Sequence, residues 1–255
     1  MKFVLLASGI IAEKFVTDNR FVELISNHLK AVIATEEILD LIQRKLENGR
    51  RSTYKIISDK KQNENDLHTI ISECAPDFIL SIQYPWIIPG TILNQVAGKV
   101  LNLHNAKIPE YRGHNSISHE ILNEEKVHTT TLHWVAEEVD RGTIVKTRDI
   151  PIEKNDTAFS LWSKSVDSAL VLLDEVFSQF AMDQKFPSGL PVGQGGRYYS
   201  KNIAPFKKVP SANHPEIISK WSRAFYFPPH EPAYIEHDGL KLYVLPDNWN
   251  YHIPI

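Results

Sequence analysis

The chain has 255 residues, 42% of them hydrophobic and 23% charged, with a formal net charge of -3. That length suits one large domain with an appendage, and the acidic balance argues against a protein that grips a long nucleic acid. A single cysteine, Cys74, excludes an intramolecular disulfide and a multi-cysteine metal site, and it fits a reducing cytoplasm.

The opening "MKFVLLASGIIAEKF" reaches Glu13 and Lys14 quickly, so it reads as a first strand and not as a signal peptide. No run approaches 18 apolar residues, and no membrane span is expected. Short β-rich runs follow at "LKAVIAT", "YKIIS", "DFILSI" and "KVLNLH". Between them lie helical patterns, "EEILDLIQRKLENG" with a stop at Gly49 and "ENDLHTIISECAPD" ending before Pro76. This alternation predicts an α/β protein with a mostly parallel, Rossmann-like sheet covered by helices. Two further β-rich runs flank "EEVDRG", and a long helix, "DTAFSLWSKSVDSALVLLDEVFSQF", is expected to be capped by Asp156 or Thr157.

Composition shifts near residue 184, and ten of the 15 prolines lie from Pro187 onward. The boundaries are therefore placed at 1–183 for the main domain and 184–255 for a small C-terminal region for substrate binding or dimerisation. In that region "HPEIISKWSRAFYF" reads as a helix, and "PAYIEHDGLKLYVL" as a hairpin turning at Asp238-Gly239. No G-x-G-x-x-G follows the first strand, and neither G-x-x-x-x-G-K-[ST] nor G-x-S-x-G occurs. Dehydrogenase, P-loop and α/β-hydrolase readings lose support accordingly.

The chemistry-bearing stretch is "VLNLHNAKIPEYRGHNS". Alternation along its strand puts Asn102 and His104 on one side and Leu101 and Leu103 on the other. Asp140 follows in a tight acidic loop. An amide donor, an imidazole and a carboxylate could stabilise a tetrahedral oxyanion and move one proton. No nucleophile stands at an elbow, which favours direct attack of one substrate on another. From pattern alone, an Asn and a His at a strand end serve more often as loop hydrogen-bonders than as catalysts. His114, His119, His128 and His133 have spacings that suit no standard zinc motif, so no metal is expected.

Asn102, His104, Pro109, Tyr111, Arg112, Gly113, Thr131, His133, Asp140 and Gly142 occur in an order that resembles the core signature of the folate-dependent formyltransferases. The resemblance covers about residues 1 to 180. It implies transfer of a formyl group from 10-formyltetrahydrofolate to an amine, without a metal, with Asn102, His104 and Asp140 as the catalytic trio. It also implies a folate cleft formed by "QYPWIIP" and "AEEVD", with Trp86 and Ile88 lining a pterin pocket and Glu137, Glu138, Val139 and Asp140 holding the pterin edge.

Among the family's acceptors, "WSRAFYFPPHEPAYI" is similar to the tail of the nucleotide-sugar N-formyltransferases. That implies a dTDP-linked 4-amino-4,6-dideoxyhexose, or its 3-amino isomer, used for O-antigen or other surface glycans. Arg197, Tyr199 and Lys201 would meet the pyrophosphate, and Trp221, Phe225 and Tyr226 would stack on the base or else pack the tail. A homodimer through the C-terminal hairpin is expected. Other amines, tRNA or glycinamide ribonucleotide, remain open, as do a formate-releasing hydrolase and a non-catalytic folate- or nucleotide-binding protein.

Overall fold

The computed structural model describes residues 1–47, 55–58, 64–183, 185–186 and 188–247. The expected Gly49 stop lies outside them. Eleven strands and eight α-helices occur among the described residues.

The five parallel runs read from the sequence are β1 (Phe3–Ala7), β2 (Leu29–Ala34), β3 (Lys55–Ser58), β4 (Phe78–Ile82) and β5 (Val100–His104). They pair in the order β3-β2-β1-β4-β5, and all these pairings are parallel. Helices α1 (Gly9–Thr17), α2 (Val22–His28), α3 (Glu36–Glu47), α4 (Glu64–Cys74) and α5 (Gly90–Gln95) fall between the strands. β7 (Val127–Trp134) joins β5 antiparallel, and β8 (Ile144–Pro151) closes that edge. β1 and β4 are buried at every position, as expected for parallel strands covered on both faces. β5 is buried at Val100, Leu101 and Leu103 but not at Asn102 and His104. The pattern of a core strand thus breaks at the two polar residues.

Contacts divide the chain into two compact units that interleave along the sequence. The first holds the described residues within 1–104, 130–148 and 169–194, and the second those within 105–129, 149–168 and 195–247. This partition by contacts is a different quantity from the compositional boundary at 183/184: residues 188–194 fall in the first unit, and 105–129 and 149–168 in the second. Composition registers where helix-poor sequence begins, whereas compactness depends on which distant segments pack together.

In the first unit, Val4, Leu6, Ile33, Ile79 and Val100 pack with Ile70, Ile92 and Leu93 in one core cluster. In the second, β6 (Tyr111–Gly113) pairs in parallel with β9 (Arg197–Tyr199). Gly113 has φ +87, and a Cβ there would come within 2.4 Å of the Tyr199 carbonyl oxygen, so only glycine fits. α6 (Ser116–Leu122) and α8 (Pro215–Ala224) contribute Ile117, Ile121 and Ala224 to a cluster with Leu161, Val209 and Phe225. α7 (Ala158–Asp183) is capped by Thr157, whose hydroxyl accepts from the Ser160 amide at 3.1 Å. β10 (Ala233–His237) and β11 (Leu240–Val244) form the expected hairpin. Asp238 (φ +48) and Gly239 (φ +77) occupy the left-handed positions that a two-residue turn needs. No helix among the described residues is long and apolar enough to cross a membrane.

Candidate active site

The site is built where β5 ends. Asn102 pairs with His133 across the antiparallel β5/β7 ladder, and His104 pairs with Thr131. Cross-strand partners share a face, so Asn102 and His133 meet: the Asn102 Nδ2 lies 3.1 Å from His133 Nε2. His133 Nδ1 lies 3.2 Å from the Trp134 carbonyl oxygen, which can only accept. The ring proton therefore sits on Nδ1, and Nε2 accepts from the Asn102 amide. That bond fixes the amide orientation and leaves its second N–H for another acceptor. Burial, assisted by the nearby His104, pushes the His133 pKa down to about 4, against the opposing pull of Asp140. His133 is thus neutral near pH 7, the state that this hydrogen bond requires.

Asp140 approaches from the loop after β7. Its Oδ1 lies 3.6 Å from His104 Nδ1 and 3.7 Å from His133 Nε2. These separations exceed a direct hydrogen bond but keep the carboxylate beside both rings. Asp140 has φ +53, an uncommon conformation for a residue with a Cβ, here at the point where the loop turns its carboxylate inward. Two residues on, a Cβ at Gly142 would come within 1.4 Å of the Trp134 carbonyl oxygen. The D-x-G pattern therefore has a steric cause: the chain passes too close to the end of β7 for any side chain.

His104 and Asp140 are 11% and 9% exposed, enough for a small group to reach them and dry enough to strengthen electrostatics. An amide donor, an imidazole and a carboxylate at this spacing can hold an oxyanion and shuttle a proton between two nitrogens. His133 was not singled out as a site residue in the sequence, and only its place in the Thr131-x-His133 pattern pointed to it.

Trp86 and Val139 are exposed large apolar side chains in the first unit, and Ile88 packs against its core. Glu137 and Glu138 are exposed. A Cβ placed on Gly90 would lie 3.9 Å from Glu137 Oε1, so the segment after Trp86 faces the loop that carries Asp140. Among the described residues, no group of three or more His, Cys, Asp or Glu side chains is arranged to hold a metal.

The C-terminal residues singled out in the sequence stand in two different settings. Arg197 and Lys201 are exposed, but Tyr199 is 8% exposed and stacks on Tyr111 (5.5 Å) and His119 (4.1 Å), so it packs inside the second unit. Phe225 is 4% exposed and belongs to the apolar cluster around Leu161, leaving no open face for a base. Tyr226 is buried too. Trp221 packs against the same cluster and donates its indole N–H to the Phe206 carbonyl at 3.0 Å. Trp221 and Phe225, four residues apart on α8 and just beyond it, thus turn to the same inner side and pack the unit.

A Rossmann-like sheet with an Asn and a His at one strand end and an Asp carboxylate beside them is an α/β site equipped to hold an oxyanion and move a proton. The formyl transferase family matches residues 14–176, and the chain belongs to that family. It is 34% identical over 185 residues to the GDP-perosamine N-formyltransferase of Brucella melitensis, covering 72% of this chain and 70% of that protein. It is 25% identical over 125 residues to the methionyl-tRNA formyltransferase of Finegoldia magna, covering 49% and 40% of the two chains. Among solved structures, a sugar N-formyltransferase from Shewanella superposes with a TM-score of 0.71 at 21% identity, covering 96% of this chain and 97% of that one.

Proposed function

We propose that this protein transfers a formyl group from 10-formyltetrahydrofolate to the amine of a nucleotide-linked amino-dideoxyhexose. The observation that carries the reading is the placement of Asn102 and His104 side by side at the end of β5, with the Asp140 carboxylate 3.6 Å from the His104 ring. The nitrogen–carbon bond forms as the neutral amine attacks the formyl carbon, and the bond from that carbon to the folate nitrogen then breaks. Asn102 and His104 donate hydrogen bonds to the oxyanion formed in between. Asp140 orients His104, and the proton shed by the amine is passed to the departing nitrogen. Holding amine and formyl carbon together supplies much of the acceleration.

Trp86 and Ile88, with the segment Glu137, Glu138, Val139 and Asp140, form the folate cleft in this reading. Exposed apolar side chains facing a polar loop suit a planar ring with polar edges. Arg197 and Lys201 supply exposed cations for the pyrophosphate. The GDP-linked sugar in the name of the Brucella relative widens the choice of base beyond dTDP. The protein acts in the cytoplasm, on a small molecule and not on nucleic acid. It works as a homodimer joined through β11, where Leu240, Leu242 and Tyr243 are exposed.

The test is a panel assay with purified protein, 10-formyltetrahydrofolate and 4-amino and 3-amino dideoxyhexoses linked to dTDP and to GDP. Formylated sugar and released tetrahydrofolate are expected for one member. Formylation of aminoacyl-tRNA or glycinamide ribonucleotide, with every sugar inert, would contradict the acceptor assignment.

A further inference from the structure

The first unit contains a cavity of about 930 Å³ that the formyl-transfer reading does not use. It opens at the amino-terminal ends of the parallel strands. Met1 precedes β1, Asp77 precedes β4 and Lys99 precedes β5, and all three line it. Asn102 and His104 occupy the opposite, carboxyl end of β5. At about 3.3 Å per residue, Lys99 and His104 lie roughly 16 Å apart along the strand. The two sites are therefore separate.

The lining has a definite chemistry. Phe186 sits in an aromatic cluster, with ring centroids 4.8 Å from Phe78, 5.8 Å from Trp134 and 4.4 Å from Phe180, and all four rings border the cavity. Three cationic side chains also line it, Lys99, Lys185 and Arg141, and so does Met1, whose N-terminal ammonium lies 3.8 Å from Asp77 Oδ2. The one lining carboxylate, Asp77, accepts from the Lys2 backbone amide at 2.6 Å. Aromatic walls suit a flat ring, and an excess of cations suits an anion. The volume falls in the range of small-molecule sites, about 300–1,000 Å³.

The wall also touches the segment that carries Asp140. Arg141, Gly142 and Thr143 line the cavity directly after Asp140 in the chain. Arg141 bonds Glu138 at 3.2 Å and the Gly193 carbonyl at 3.0 Å. Gly142 runs so close to the Trp134 carbonyl that a Cβ there would clash at 1.4 Å, and Trp134 lines the cavity too, so the segment is packed directly on the wall.

We propose that this cavity is a second small-molecule site, for a planar aromatic ring bearing a phosphate or carboxylate, and that filling it stiffens the Asp140 segment. The proposal stands independently of the acceptor assignment, since its readouts are binding and amide exchange.

The probe is 1-naphthyl phosphate, titrated calorimetrically into the full chain. One equivalent is expected to bind, with neutral 1-naphthol weaker by about tenfold or more. 1-Naphthoate should bind like the phosphate if any anion on the ring suffices, and much more weakly if the site selects phosphate. Lys99→Glu and Lys185→Glu should each weaken 1-naphthyl phosphate by about tenfold. Both lysines are exposed, so the variants should melt like the parent chain. Amide exchange across residues 136–143 should slow when the probe binds. No binding at millimolar probe, or binding that neither variant weakens, would overturn the site, and unchanged exchange in the bound state would overturn the coupling to Asp140.

Discussion

Two histidine–carboxylate pairs, one in each unit, show how the same residue types serve opposite ends. In the second unit, His128 Nδ1 and Glu120 Oε2 lie 2.7 Å apart and are 0% and 1% exposed. His128 Nε2 lies 3.4 Å from Asn105 Oδ1, and Asn105 in turn donates to the Ser165 hydroxyl at 2.5 Å. Both ring nitrogens are engaged, and no substrate can reach them. In the first unit, His104 and Asp140 stand 3.6 Å apart and keep about a tenth of their surface open. A closed, short pair specifies packing, whereas a longer one that is partly open to solvent can be reached by a substrate. Residue type alone does not separate the two, because both histidines occur in β-rich runs.

If the comparison holds, breaking the closed pair should cost the fold, and breaking the open one should cost the reaction. The largest expected effect is on stability. Glu120→Ala strips the buried His128 of its partner and should destabilise the protein by about 3–5 kcal/mol in urea denaturation. The folded fraction should keep its turnover number, and a collapse of turnover at full folding would erase the distinction.

A smaller effect sharpens the role of His133 as a positioning residue. His133→Phe removes the acceptor that orients Asn102, so the barrier should rise by about 1–3 kcal/mol. The loss should fall on kcat more than on KM, with partial rescue by His133→Gln, which restores an acceptor. Equal activity of the Phe and Gln variants would mean that the residue only fills space.

The smallest effect is the acid response. Burial holds both His133 and His119 at about 4, with His104 assisting at the first and Arg197 at the second. The unfolded chain takes up these protons near pH 6.5, but the folded chain resists them until about pH 4. Their contribution is therefore intact above about pH 6.5 and is lost as pH falls through that window. His119→Phe should flatten the decline between pH 7 and 5 by on the order of 1 kcal/mol. A parallel decline in parent and variant would contradict the neutral assignment of His119.

Much of the first unit was legible in the sequence. β1, β2, β4 and β5 are apolar runs bounded by turn residues, and burial on both faces makes such runs conspicuous. Asn102 and His104 stood out because they interrupt one of them. Asp140 was recoverable from the D-x-G pattern, which Gly142 enforces sterically. The interleaving of the units was not legible, since it depends on segments such as 105–129 and 195–247 packing together from far apart in the chain. The settings of Tyr199 and Phe225 were hidden for a related reason, and for Phe225 the sequence left stacking and packing both open. An aromatic residue in a proline-rich tail looks available, and only the partners that bury it, Tyr111 and His119 for one and the Leu161 cluster for the other, reveal its role.

The central claim is that the open pair at the end of β5 performs the transfer, and single-turnover formyl transfer by His104→Ala tests it most directly. The assay would use the amino sugar selected by the panel, with folding monitored by thermal melting. The expected result is a rate lowered by at least about 10²–10³-fold, the cost of one lost oxyanion donor, with a melting curve close to that of the parent. A folded His104→Ala protein that transfers formyl at the parent rate would contradict the account.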